Sequence, residues 1–170
     1  AARDSRNRVN AAPPETRFAT PFAVLGIVTD GAVVTGLRYL PRHTATRPPH
    51  DRMAERACRE IERYLDDPAH VFKLPYRLEG TPFQCRVWGE IEKLFPIKTI
   101  TYGGIAQHIG SAARAVGGAC GTNPVPLFVP CHRVLAASGG LGGFMGGKDD
   151  FPLSVKRWLL RHEGIINTTH

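Results

Sequence analysis

Thr101-Tyr102-Gly103-Gly104-Ile105-Ala106-Gln107-His108-Ile109-Gly110-Ser111-Ala112-Ala113-Arg114-Ala115-Val116-Gly117-Gly118-Ala119 reads as two short helices with a break between them. Thr101 offers an N-cap oxygen to a helix over Tyr102 to Ile109, Gly110 ends it, and Ser111 offers the cap for a second helix through Ala119. That is a helix-turn-helix pattern. In the second helix nearly every side chain is small and Arg114 alone projects. A backbone so thinly covered can approach a surface closely, which suits a narrow groove better than base-edge readout in the major groove. A packed Ala/Gly core helix with a solvated Arg114 has the same composition.

Upstream, Thr81-Pro82-Phe83-Gln84 combines an N-cap, a proline at the first helical position and a capping-box glutamine. The spacing predicts a helix over 82–95 with Phe83, Val87, Ile91 and Leu94 on one stripe and Cys85 off it. Nearer the start, Phe22 to Thr29 and Ala32 to Leu40 are rich in Val, Ile and Leu around Asp30-Gly31, which predicts antiparallel strands joined by a two-residue turn. Asp51 caps a helix whose stripe includes Ala54, Ala57, Cys58, Ile61 and Tyr64, and residues 71–78 read as a further strand. The expected organisation is α+β: a polar, basic arm over 1–16, an N-terminal domain over 17–79 with a small antiparallel sheet and a helix, and a mostly helical C-terminal domain over 80–170.

Downstream, Asn123-Pro124-Val125-Pro126 cannot continue a helix, because proline lacks an amide donor and forces its predecessor extended. It leads to Pro130-Cys131-His132-Arg133-Val134, a thiol beside an imidazole. A thiol with its ordinary pKa of about 8.5 is mostly protonated at neutral pH, and only the thiolate attacks carbon quickly, so a neighbouring base matters. On an extended segment Cys131 and His132 point to opposite faces, and they meet only across a turn or through a bridging water, the expected arrangement. Glu163, closing an apolar helix in Arg161-His162-Glu163-Gly164, is the candidate to hold the other ring nitrogen. The competing reading of the dipeptide is a buried small hydrophobe beside a solvated histidine.

The 22 basic side chains against 15 acidic ones give a formal charge of +7, which favours a polyanionic partner. The excess is spread along the chain, so it suits a few phosphate contacts and not tight salt-driven binding. Four cysteines without a CxxC spacing argue against a zinc site and a disulfide framework and fit a reducing cytoplasm. No apolar stretch is long enough to span a membrane, and the polar start does not read as a signal peptide.

From Gly80 to Gly164 the chain resembles the O6-alkylguanine-DNA alkyltransferases. The resemblance rests on Gly80-Thr81-Pro82-Phe83-Gln84 with Val87-Trp88, Thr101-Tyr102-Gly103, Arg114-Ala115-Val116-Gly117, Asn123-Pro124-Val125-Pro126, Pro130-Cys131-His132-Arg133-Val134, Leu141-Gly142-Gly143-Phe144 and Lys156 through Gly164, in the family's order. It implies a ribonuclease H-like N-terminal domain and a winged helix-turn-helix domain bearing the reactive cysteine. It also implies direct repair: one-time transfer of an alkyl group from O6-alkylguanine, with O4-alkylthymine as a further substrate, onto Cys131 without any cofactor or metal. The expected partner is alkylated duplex DNA bound through the minor groove by a monomer, with a cytoplasmic location, or a nuclear one in a eukaryote.

By the same resemblance Arg114 replaces the flipped base in the stack, a device that offsets a flipping cost of a few kcal/mol. Thr101, Tyr102, Ala115, Gly118 and Arg133 complete the implied DNA contacts. Tyr102 turns the target phosphate and donates to the departing guanine, which would otherwise carry negative charge; an aromatic packed between helices is the alternative for it. Asn123 joins the second helix to the cysteine segment, while Val134, Phe144, Met145, Pro126 and Cys120 fall where the family lines its base pocket. Three departures stand out: a slightly short stretch between Tyr102 and Arg114, an inserted-looking Lys148-Asp149-Asp150-Phe151-Pro152 before the last helix, and Phe144-Met145 where members often carry tyrosine and a small polar residue. Two other classes remain open: a thiol hydrolase, which would turn over an acyl substrate, and a binder that holds alkylguanine without transferring the group.

Overall fold

In a computed structural model, which describes residues 14–138, 140–142 and 150–167, the chain opens with a three-stranded antiparallel sheet. Strands β1 (Glu15–Ala19), β2 (Val24–Thr29) and β3 (Val34–Leu40) pair in sequence order, with Phe18 opposite Leu25 and Leu25 opposite Tyr39. The sheet therefore begins inside the stretch expected as an arm, because Glu15 and Thr16 already pair with Val28 and Ile27. The β2–β3 connection has four residues, not two. The Asp30 carboxylate accepts from the amides of Ala32 and Val33 at 3.0 Å each, and Gly31 takes φ 96° in the left-handed region.

Helix α1 (Arg52–Asp66) starts where the sequence places it, with Asp51 accepting from the Ala54 amide at 2.7 Å. Its stripe of Ala54, Ala57, Cys58, Ile61 and Tyr64 is buried against the apolar face of the sheet. Residues 71–78 do not form the expected strand. Tyr76 makes a single bridge to Val34, and Pro75, which has no amide to donate, interrupts any longer ladder.

Helix α2 (Pro82–Ile91) carries the reciprocal capping box of Thr81 and Gln84. It ends four residues short of the expected boundary, in turns that precede Pro96. The two-residue strand β4 (Ile100–Thr101) then leads into α3 (Tyr102–Ile109), capped by Thr101 and stopped by Gly110 at φ 69°. Helix α4 (Ala113–Gly121) begins at an Ala112 N-cap without a side-chain bond, so Ser111 is not the cap, and it extends two residues beyond Ala119. The Trp88 indole donates to the Ala119 carbonyl at 2.9 Å, locking α4 to α2 through a fully buried ring.

After α4 the chain makes a 3₁₀ turn at Cys131–Arg133 and enters β5 (Val134–Leu135), which pairs in parallel with β4, Ile100 opposite Val134. That short ladder sets the start of α3 beside the cysteine segment. The last helix, α5 (Asp150–His162), takes Asp150, Phe151 and Pro152 into its first turn, while Lys148 and Asp149 of the inserted-looking stretch lie outside the described residues. Contacts also tie the first half of the chain to the second. The Leu37 amide donates to the Pro124 carbonyl at 2.9 Å, and Phe22 stacks on Trp158 with ring centres 4.6 Å apart. No helix among the described residues is long and apolar enough to cross a membrane.

Candidate active site

The cysteine segment follows a constrained backbone path. Leu127, fully buried, sits at φ 77°, a left-handed conformation a leucine adopts only where its surroundings enforce it. Asn123 supplies part of that enforcement: its Oδ1 accepts from the Val125 amide at 3.0 Å and its Nδ2 donates to the Val129 carbonyl at 2.8 Å. The Asn123 side chain also favours the thiolate form of Cys131. Asn123 thus joins the end of α4 to the segment that leads to the thiol.

Cys131 is buried, and burial pushes its thiol up to about 11 against the opposing pull of Asn123 and the Lys156 ammonium. Cys120, at the end of α4, is pushed up further, to about 12, by burial and then by its proximity to Cys131. Deprotonation of Cys131 therefore needs a base. His132 is fully buried, and its Nε2–H donates to Glu163 Oε2 at 2.7 Å. Because a carboxylate only accepts, this bond fixes the proton of the neutral ring on Nε2 and leaves Nδ1 as an acceptor. Nδ1 is buried and has no protein partner among the described residues. Burial lowers the His132 pKa despite the charge of Glu163, so the ring is neutral at physiological pH.

Glu163 is the hub of the site. Burial alone would raise its pKa, but His132 and Arg133 outweigh that and hold it at about 2. Arg133 places two nitrogens on the carboxylate, at 2.8 Å and 3.1 Å, and a third on the Leu94 carbonyl at 2.5 Å, with its plane over the Phe95 ring. Fully enclosed, Arg133 cannot reach a phosphate, and the expectation that it contacts DNA is corrected: its charge is spent inside the protein.

Lys156 was not foreseen from sequence. It lies on the buried face of α5 between Val155 and Leu159, donates to the Val134 carbonyl at 2.8 Å and approaches the Tyr102 hydroxyl oxygen at 3.4 Å. Burial depresses it to about 8, while Cys131 and Cys120 favour its charged form. The available signal was a lysine two helical turns before Glu163 on an otherwise apolar stripe, a position that faces the same interior. Tyr102, half-buried, is pushed above its ordinary range by burial and so keeps its proton. An added Cβ at Gly142 would stand 3.1 Å from the Tyr102 ring, so the backbone passes close beside the phenol there.

Of the remaining candidates, Val134, Pro126 and Cys120 are buried, and Arg114, Ala115 and Gly118 are exposed on α4, with Thr101 partly covered. Phe144 and Met145 lie outside the described residues. Among the described residues no three His, Cys, Asp or Glu side chains converge as metal ligands would. The arrangement offers a buried nucleophile, a base with its tautomer fixed, a phenol and an ammonium, behind a thinly clad helix.

Comparison with known proteins agrees with that chemistry. Residues 82–165 match the family described as "6-O-methylguanine DNA methyltransferase, DNA binding domain". The chain is 34% identical over 158 residues to a methylated-DNA–protein-cysteine methyltransferase of Haemophilus influenzae, covering 88% of this chain and 86% of that one. It is 38% identical over 151 residues to the protein of that name from Mycobacterium tuberculosis, covering 85% and 88%. Among solved structures, Mycobacterium tuberculosis OGT in complex with DNA superposes with a TM-score of 0.72 at 35% identity, covering 88% of this chain and 92% of that one.

Proposed function

The chain belongs to the methylated-DNA–protein-cysteine methyltransferases, and from that membership we propose how its own residues repair DNA by alkyl transfer. The observation that carries the reading is the His132 ring, with one nitrogen committed to Glu163 and the other left as a buried acceptor one residue from Cys131. His132 Nδ1 takes the thiol proton through a bridging water. Cys131 sulfur attacks the alkyl carbon on O6 of guanine, the carbon–sulfur bond forms, the carbon–oxygen bond breaks, and its electron pair leaves with the base. The Tyr102 hydroxyl gives its proton to a ring nitrogen of the departing guanine, and Lys156 can replace that proton through the phenol oxygen. The product is a thioether, which offers no carbonyl for water to attack, so each molecule acts once.

Access to the alkyl carbon requires an extruded base, since a buried sulfur cannot reach a stacked one. Exposed Arg114, Ala115 and Gly118 support a helix-turn-helix of α3 and α4 that enters the minor groove with Arg114 filling the gap, while Thr101 and Tyr102 face the phosphate. Pro126, Val134 and Cys120 then line the base pocket, which takes O6-alkylguanine, with O4-alkylthymine as a further substrate. A ribonuclease H-like domain over 17–79 and a winged helix-turn-helix domain over 80–170, acting as a cytoplasmic monomer without cofactor or metal, complete the proposal.

Intact-protein mass spectrometry after mixing with excess duplex carrying one O6-methylguanine tests this. The expected result is a gain of one CH2 that stops at one per molecule, maps to Cys131 and is absent from Cys131→Ala. No gain in a folded protein would overturn transfer in favour of damage binding without chemistry.

A further inference from the structure

Tyr64 belongs to α1, in the first half of the chain, and no part of the reaction above uses it. Its position on the buried stripe of Ala57, Cys58 and Ile61 would be served by any aromatic side chain. Yet its hydroxyl donates to Glu163 Oε2 at 2.6 Å, the oxygen that also accepts from His132 Nε2 at 2.7 Å and from Arg133 at 3.1 Å. The Tyr64 carbonyl accepts from His162 Nε2 at 2.8 Å, and the two rings meet edge to face with centres 5.0 Å apart. The last turn of α1 therefore grips residues 162 and 163 through both backbone and side chain. The phenol is fully enclosed, and burial together with the charge of Glu163 keeps it protonated, so it acts only as a donor to that carboxylate.

We propose that Tyr64 is a positioning residue for the transfer reaction: its donation to Glu163 Oε2 fixes the carboxylate against His132 and moderates the basicity that the carboxylate confers on the imidazole. The inference rests on the alkyl-transfer reading. A carboxylate oxygen already bonded to a phenol attracts the His132 proton less strongly, which favours neutral His132, the form able to accept the thiol proton. Without the phenol Glu163 is a stronger acceptor, imidazolium persists to higher pH, and the ring has one fewer constraint on its tilt toward Cys131. The N-terminal half thereby reaches the chemistry through a single hydroxyl.

The test is single-turnover methyl transfer from an O6-methylguanine duplex, followed across pH for the unmutated protein and for Tyr64→Phe, with duplex affinity measured beside it. Tyr64→Phe is expected to transfer roughly tenfold more slowly at neutral pH, in proportion to one lost charge-assisted hydrogen bond. Its acid limb should move to higher pH while duplex affinity stays unchanged. An unchanged rate and limb, or a slower rate with an unmoved limb, would overturn the proposal and leave the residue a packing role. Failure of the unmutated protein to transfer would overturn the alkyl-transfer reading instead, so the two failures are distinct. Should Tyr64→Phe not fold, proton NMR of the unmutated protein decides. A slowly exchanging Tyr64 hydroxyl proton close to the His132 Nε2 proton supports the shared oxygen, and its absence overturns it.

Discussion

Arg133 and Glu163 form a two-point ion pair sealed from solvent, with Nε to Oε1 at 2.8 Å and Nη2 to Oε2 at 3.1 Å. Such a pair gains little over apolar packing while intact but costs heavily when one partner is removed, because the remaining charge has no water to turn to. Arg133→Met should therefore lose about 3–5 kcal/mol of folding stability, read from urea unfolding. A loss smaller than about 1 kcal/mol, the scale of an exposed pair, would mean that solvent reaches Glu163.

Acidification should unfold the protein through the same hub. Glu163 is held at about 2 against a reference of 4.5, so its contribution is fully present above 4.5 and is lost as the pH falls toward 2. His132, lowered from 6.5, acts in the same direction, since the unfolded chain takes up its proton first. Stability should thus decline from about pH 6 downward and most steeply between 4.5 and 2, with a Glu163 share of about 3 kcal/mol. Unfolding free energies measured at several pH values for the unmutated protein and Glu163→Gln check this: the variant should start less stable and show a shallower acid slope.

What was legible in the sequence was what local chemistry determines. Asp51, Thr81 and Thr101 cap their helices as read, because a cap needs only a side-chain oxygen and the amides two or three residues on. The link from His132 to Glu163 was also readable, from the closing position of one carboxylate on an apolar helix. Illegible were the features set by distant partners. The strand expected over 71–78 fails because Pro75 cannot donate to a ladder, and β1 was missed because its partner lies nine residues on, across the bend at Thr20 to Ala23. Arg133 looked like a phosphate ligand because nothing nearby in sequence announces Glu163 and the Leu94 carbonyl as its partners. Tyr64 and Lys156 escaped for the same reason: each sits on an apolar stripe, and only the assembled fold reveals what its polar tip meets.

Lys156 stabilises the thiolate of Cys131 and stands behind the Tyr102 phenol, so removing its charge should slow chemistry and not binding. Lys156→Met is expected to lower the single-turnover transfer rate on the order of 100-fold at neutral pH, the scale of one lost electrostatic stabiliser. Folding should respond in the opposite sense. The depressed lysine pKa, about 8 against 10.5, means that the charged form is costly in the fold below about pH 8, and the cost fades as pH rises toward 10.5. The methionine variant should therefore be at least as stable at pH 7, with the difference narrowing by pH 10; calorimetry at both pH values, beside the rate, separates the two roles.

Gly118 separates the proposed DNA surface from the fold. It is exposed on α4, and a Cβ built there meets nothing within 4 Å, so a larger residue displaces no neighbour. Glycine inside a helix costs roughly 0.5–1 kcal/mol relative to a better helix former, so Gly118→Glu should unfold at the same temperature or slightly higher. On the proposed minor-groove surface, however, the new side chain sets a carboxylate and its bulk between helix backbone and phosphates, and duplex affinity should fall about tenfold or more. Thermal unfolding and duplex titration at one fixed salt concentration make the comparison. A stable variant with undiminished duplex affinity would place the DNA surface away from α4, whereas a stable variant that no longer binds assigns the thin covering of this helix to groove entry and not to packing.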